Sequence, residues 1–120
     1  MAWIYNQSNG TLSHNGELIG TGYSGFDTGE NNPWMENVHD TGPIPQGTWA
    51  IGNAVDTTTH GPVVMPLTPA ADTETFGRGG FLIHGDSIEH PGLASHGCIV
   101  LPRAIREEIN ASDDKVLEVV

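Results

Sequence analysis

The chain has 120 residues, 37% of them apolar, which allows one domain (residues 1–120) built on one modest core. Fifteen acidic residues against four basic ones give a formal charge of −11. This argues against nucleic-acid binding, because phosphate neutralisation needs clustered Lys and Arg.

Glycines and turn dipeptides punctuate short apolar segments throughout, the pattern of a β-rich domain. Residues 2–6 read as a strand, 8–10 as a turn and Thr11–His14 as a short strand. Asn15-Gly16 is a favoured hairpin dipeptide, so 17–23 is the returning strand. Residues 24–46 are rich in Gly, Asn and Pro yet contain Trp34 and Met35. A connection of this length is expected to be an ordered flap packed on the domain, with Trp34 and Met35 in the core or forming a lid. Residues 47–55 form the next strand. The prolines of 62–67 place that strand at a sheet edge. Strands follow at 81–84 and 98–101. A helix is expected over 102–110, with Pro102 at its first position and Ile105 and Ile109 on one face, then a final strand at 116–120. The fold class is therefore mainly β, with one short C-terminal helix and a long flap loop. No segment is apolar enough to span a bilayer, and the N-terminus lacks the basic start and long apolar stretch of a signal peptide.

The single cysteine, Cys98, has no partner for an internal disulfide and excludes multi-cysteine zinc sites. It is either a small buried hydrophobe or a reactive thiol. Strand alternation puts Leu82 and His84 on one face, and Cys98 and Val100 on one face. If 81–84 and 98–101 pair antiparallel, joined by 85–97, His84 comes within about 5 Å of Cys98. A one-residue slip would reverse the face. A free thiol, with pKa about 8.5, is only a few per cent thiolate at neutral pH. A neighbouring imidazole can take its proton and later protonate a leaving amine. The amides of Gly97 and Cys98 are candidate oxyanion donors, Gly97 having no side chain in the way. His84, Asp86, His90, His96 and Cys98 could also ligate a metal, but their spacings fit no zinc pattern and there is no H-E-x-x-H, so no metal or cofactor is expected. His14, His39 and His60 read as solvent-facing loop residues. The acidity reads as solubility, with a docking surface for a basic partner as the alternative.

The segment "IHGDS…SHGCIVL" (83–101) resembles the signature of L,D-transpeptidase catalytic domains of the YkuD type, and "GPIPQGTWAI" (42–51) is similar to their upstream turn and strand. The stretch "GYSG…GENNPWM…TGPIPQGTW" (22–49) resembles a narrower branch, the L,D-transpeptidase-like effectors of type VI secretion systems. The resemblance implies a YkuD-like β-sandwich with Cys98 as nucleophile, His84 as general base and the Gly85 carbonyl as third member of the triad. Gly97 falls in the oxyanion loop. Ser95, His96, Tyr23, Ser24 and Arg103 are the implied substrate-binding residues, with His96 as rival base and a structural hydrogen bond within its own loop as the alternative for Ser95. Ile99 and Val100 stand where many relatives have Arg or Asn, so Arg103 or Arg106 is expected to supply that cation. The implied substrate is the tetrapeptide stem of peptidoglycan. Its terminal D-alanine would be trimmed (L,D-carboxypeptidase) or exchanged for another D-amino acid. A stem-peptide binding module and a housekeeping 3-3 cross-linking enzyme are the alternatives. For this branch the implied partners are an immunity protein and secretion-system components. The implied route is synthesis in the cytoplasm, then delivery to a target-cell periplasm.

Overall fold

The computed structural model describes residues 2–120. In chain order the strands are β1 (Trp3–Tyr5), β2 (Thr11–His14), β3 (Glu17–Thr21), β4 (Tyr23–Ser24), β5 (Gly47–Ile51), β6 (Val55–Thr57), β7 (Gly61–Pro69), β8 (Leu82–His84), β9 (Ile99–Val100) and β10 (Val116–Val119). The one α-helix among the described residues, α1 (Arg103–Ala111), precedes β10. The strand order is β3-β2-β1-β10-β5-β7-β8-β9-β4, with β6 beside β7.

Local chemistry explains the scaffold end. Asn15 and Gly16 have φ of 53° and 80°, both in the left-handed region that a two-residue hairpin turn requires. They join β2 to β3 with His14 opposite Glu17. Alternation in β1 buries Trp3 and Tyr5, and in β10 Leu117 and Val119. Leu117 lies between Trp3, its parallel partner, and Trp49, its antiparallel one. Each such fully buried side chain contributes about 1.5–3 kcal/mol.

β3 and β4 are separated only by Gly22, yet they stand at opposite ends of the strand order. The sheet must therefore curl until its ends meet. Accordingly one core cluster takes Leu12 from β2, Met65 from β7, Ile83 and Ile99 from β8 and β9, and Ile109 from α1. This is the expected sandwich-like, mainly β architecture.

The structure corrects several expectations. The strand expected at 17–23 is two strands, each serving a different end of the sheet. The strand expected at 47–55 breaks after Ile51, where the Gly52 N–H donates to the Pro66 carbonyl at 2.8 Å. β7 is interior, not an edge, pairing with β5, β6 and β8. Pro66 is tolerated because β5 has ended where its missing N–H would point: a Cβ on Gly52 would stand 2.7 Å from the Pro66 ring. β8 and β9 pair parallel, Ile83 beside Ile99 and His84 beside Val100, not antiparallel. The connection between them exceeds the dozen residues a parallel crossover needs.

Residues 24–46 form an ordered flap containing two 3₁₀ turns, Asp27–Gly29 and Pro33–Met35. Ile44 is fully buried, and the Glu36 carboxylate accepts from Gln7 Nε2 and from the Gln46 N–H, each at 3.0 Å. Trp34, however, is 92% exposed and packs in no core. His14 is not a loop residue. It lies in β2, stacked on Trp3 at 3.8 Å and 2.8 Å from an Asp114 carboxylate oxygen.

Candidate active site

His84 ends β8. Ile83 and Ile99 enter the core side by side, so His84 and Val100 share the opposite face. The imidazole is buried, and its Nδ1 lies 2.8 Å from the Gly85 carbonyl oxygen. A carbonyl only accepts, so Nδ1 carries the hydrogen and Nε2 holds the lone pair. Burial lowers the His84 pKa below its ordinary 6.5, against the Gly85 hydrogen bond, and His60 and Arg106 push the same way as burial. The ring is therefore neutral at pH 7, the state a general base requires. The His60 ring packs on it, centroids 4.7 Å apart. Gly85 has a steric reason to be glycine: a Cβ there would stand 2.7 Å from Arg106 Nη2. Arg106 is itself pinned, Nε donating to the Leu101 carbonyl at 3.0 Å and Nη1 to those of Pro62 and Val63 at 2.6 and 3.0 Å.

Cys98 is half-buried, one residue before β9. Its Sγ is turned toward the Gly80 carbonyl, 3.7 Å away. It lines a cavity of about 180 Å³ with His39, Asp40, Arg78, Phe81, His96 and neighbouring glycines. Burial pushes the thiol above its ordinary value, opposed by the Leu82 backbone and the Arg78 charge, so it is protonated at neutral pH. His84 opens on a larger cavity, about 940 Å³, bordered by His60, Asp86, Glu89, His90, Arg103 and Arg106. Since Cys98 precedes the residue beside Ile83, it sits diagonally from His84 and not opposite it. The directly opposed pair expected from antiparallel pairing is thus replaced by a diagonal one, and among the described residues no hydrogen bond joins the thiol to an imidazole. His96 is exposed. Its Nδ1–H donates to the Asp40 carbonyl at 3.1 Å and its ring stacks on Phe26 at 4.8 Å.

The loop before Cys98 is fixed by hydroxyl groups. Ser95 Oγ donates to the Cys98 carbonyl and accepts from the Gly25 and Gly97 N–H groups at 2.9 and 3.1 Å. Ser24 Oγ donates to the Gly97 carbonyl at 2.9 Å and accepts from the Ile44 N–H at 2.8 Å. The Gly97 N–H is thereby engaged, so of the two amides expected to be donors the Cys98 N–H is the one without a partner among the described residues. Tyr23 donates its hydroxyl to Asp86 Oδ1 at 2.6 Å and accepts from the Ala94 N–H at 2.9 Å. Asp86 Oδ1 also accepts from the Ser87 N–H at 2.8 Å. Tyr23, Ser24 and Ser95 thus shape the loop and do not line the Cys98 cavity. Arg103 borders the His84 cavity and pairs with Glu107 one turn along α1 at 3.2 Å.

The Tlde1 domain matches residues 19–119. The chain belongs to the Tlde1 domain family. Two solved structures are similar across 99% of the chain, each at 19% identity. One is a cysteine-to-serine mutant of Enterococcus faecium L,D-transpeptidase, at a TM-score of 0.58 and with 49% of that chain covered. The other is an L,D-transpeptidase from Mycobacterium smegmatis, at 0.52 and 58%. The Tlde1-type domain thus has the L,D-transpeptidase fold in about half the length of these solved structures. Among curated proteins nothing matches.

Three residues of this Tlde1 domain escaped sequence reasoning. His39 lines the Cys98 cavity, His60 packs on His84, and Arg78 is the basic residue at the thiol, in place of the expected Arg103 or Arg106. The one signal for Arg78 in the sequence is scarcity: it is one of only four basic residues. No helix among the described residues is long and apolar enough to cross a membrane.

Proposed function

We propose that this Tlde1 domain is a cysteine enzyme acting on tetrapeptide stems of peptidoglycan, removing the terminal D-alanine or exchanging it for another D-amino acid. The observation that carries the reading is the His84 Nδ1–Gly85 carbonyl hydrogen bond. It presents the Nε2 lone pair of a neutral, buried imidazole on the strand beside the only cysteine. Thiol and imidazole are both neutral at rest. A χ1 rotation of Cys98 out of its contact with Gly80 brings the thiol toward His84, an ordinary change between staggered rotamers. Nε2 takes the thiol proton as sulfur bonds to the carbonyl carbon between diaminopimelate and D-alanine. The Cys98 amide donates to the developing oxyanion. The imidazolium then protonates the departing amine as the C–N bond breaks, leaving a thioester. Attack by water gives the tripeptide. Attack by a D-amino acid amine gives the exchanged tetrapeptide and returns the thiol.

The branch assignment extends this to an antibacterial effector delivered by a type VI system. It would be made in the cytoplasm, would act in the periplasm of the target cell, and would be held in check by an immunity protein in the producer. A lone thiol has no intramolecular partner to oxidise with in that compartment.

A rival base has one specific observation in its favour. His96, not His84, shares a cavity with Cys98, and its Nδ1–H is also held by a carbonyl. Mass spectrometry of tetrapeptide muropeptides incubated with Cys98→Ala, His84→Ala and His96→Ala separates the two. The first two should each lose at least about 10²-fold in rate and His96→Ala far less. The reverse order for the two histidines would transfer the role of base to His96.

A further inference from the structure

Arg78 is the only basic residue lining the Cys98 cavity. The other three are otherwise engaged: Arg103 with Glu107, Arg106 with three carbonyls, and Lys115 with the carbonyls of Ile109 and Asn110. The Arg78 side chain is nine-tenths buried and lies over the Phe81 ring, 5.1 Å from its centroid. Nη1 donates to the Glu36 and Pro43 carbonyls at 2.6 and 2.7 Å, and Nη2 to that of Gly42 at 2.8 Å. A guanidinium has five N–H donors. Three are used, so a second Nη2 hydrogen and Nε–H have no acceptor among the described residues. The guanidinium lies directly against the residue before the nucleophile: a Cβ on Gly97, whose φ is 142°, would stand 2.5 Å from Nη2. Gly79 and Gly80 line the same cavity and face open space where side chains would otherwise intrude.

We infer that Arg78 recognises the α-carboxylate of the amino acid that leaves, or enters, at Cys98. This rests on the trimming and exchange reaction proposed above. The α-carboxylate of a terminal residue is two bonds from the scissile nitrogen, so its binding group must sit within one residue's length of the thiol. Arg78 does, and a fork of N–H donors suits a carboxylate better than an ammonium would. The departing and incoming D-amino acids are interchanged at the same bond, so they share this subsite. The cavity sizes agree: about 180 Å³ on the Cys98 side for one residue, about 940 Å³ on the His84 side for the stem. Asp40 is the one carboxylate in the smaller lining, so the rim offers both signs of charge to a free, zwitterionic amino acid.

The test compares tetrapeptide stems ending in D-alanine and in D-alaninamide, in the wild-type protein and in Arg78→Lys and Arg78→Gln. Losing a charge-assisted contact of this kind amounts to roughly 10- to 100-fold. Wild-type kcat/KM should therefore favour the acid over the amide by that factor, and Arg78→Gln should lose most of the preference. Arg78 also clamps the flap through three carbonyls, so its variants can lose activity for structural reasons. A purely structural role lowers both substrates together and leaves the acid-to-amide ratio unchanged, which would overturn the inference. Equal turnover of acid and amide by the wild-type protein would overturn it with no variant at all, while leaving the proposed reaction standing. Turnover of neither would overturn the reaction and the inference with it.

Discussion

Around Leu117, β1, β10 and β5 run in register for three or four residues at each pairing, and the side chains between them are Trp3, Tyr5, Trp49 and Val119. Around Cys98, β8, β9 and β4 pair over only two residues at a time. There the backbone is tied instead by side chains: Ser24 and Ser95 on the Gly97 and Cys98 peptides, Tyr23 on the Asp86 loop, Arg78 on the flap and Arg106 on the start of β7. The first region is held by apolar burial along continuous ladders. The second consists of irregular backbone whose polar groups must be satisfied one at a time. Such backbone can expose an amide and a thiol to a cavity, which a regular central strand cannot.

The difference predicts separable damage. The largest effect on stability is expected from Leu117→Ala in the scaffold. Truncating this fully buried leucine should cost about 2–5 kcal/mol in urea unfolding, while kcat/KM per folded molecule changes little. A large loss of specific activity in the folded fraction would mean that the two ends are not independent. Ser95→Ala is expected to cost less, about 1–3 kcal/mol, for the buried N–H groups and carbonyl left unpaired. Its activity, however, should fall more than tenfold, because the Gly97–Cys98 peptides lose their tie. Unchanged turnover would show that ladder and flap suffice to hold the loop. The smallest effect is a displacement rather than a loss. Burial raises the Cys98 pKa and lowers that of His84, so the resting pair is neutral. The iodoacetamide alkylation rate of Cys98 should keep rising with pH beyond the ordinary thiol midpoint of about 8.5. A plateau of fast alkylation between pH 5 and 8 would instead indicate a preformed thiolate–imidazolium pair.

Local signals in the sequence were legible and non-local ones were not. Asn15-Gly16 specifies its own turn, α1 shows its apolar face in Ile105 and Ile109, and the order of motifs through His84 and Cys98 points to the fold. The direction of β9 relative to β8 was not legible, because strands of two and three residues carry little register information and their long connection permits either direction. β7 looked like an edge because a missing N–H can be read from sequence, whereas the end of the neighbouring strand at Ile51 cannot. Of the two places open to Trp34, core or lid, its exposure excludes the core, a choice its chemistry alone does not make. His14, placed at the end of a short strand, reads as solvent-facing because its partners, Trp3 and Asp114, are known only from the fold. Arg78 lies in a glycine-rich run with no periodicity, far in sequence from Cys98, so nothing local announces its place beside the thiol. Ser24 and Ser95 tie two backbone segments whose adjacency the sequence does not show.

The most direct test of the central claim is to weigh the products of tetrapeptide muropeptides incubated with the wild-type protein, with and without D-methionine in millimolar excess as the assay choice. Thioester chemistry at Cys98 predicts replacement of the terminal D-alanine by D-methionine when it is supplied, and a slower conversion to the tripeptide when it is not. Cys98→Ala should give neither. Predominant formation of 3-3 cross-linked dimers would contradict the trimming and exchange assignment. No mass change under either condition, with Cys98 reduced and titratable, would contradict catalysis and leave a stem-peptide binding module in its place.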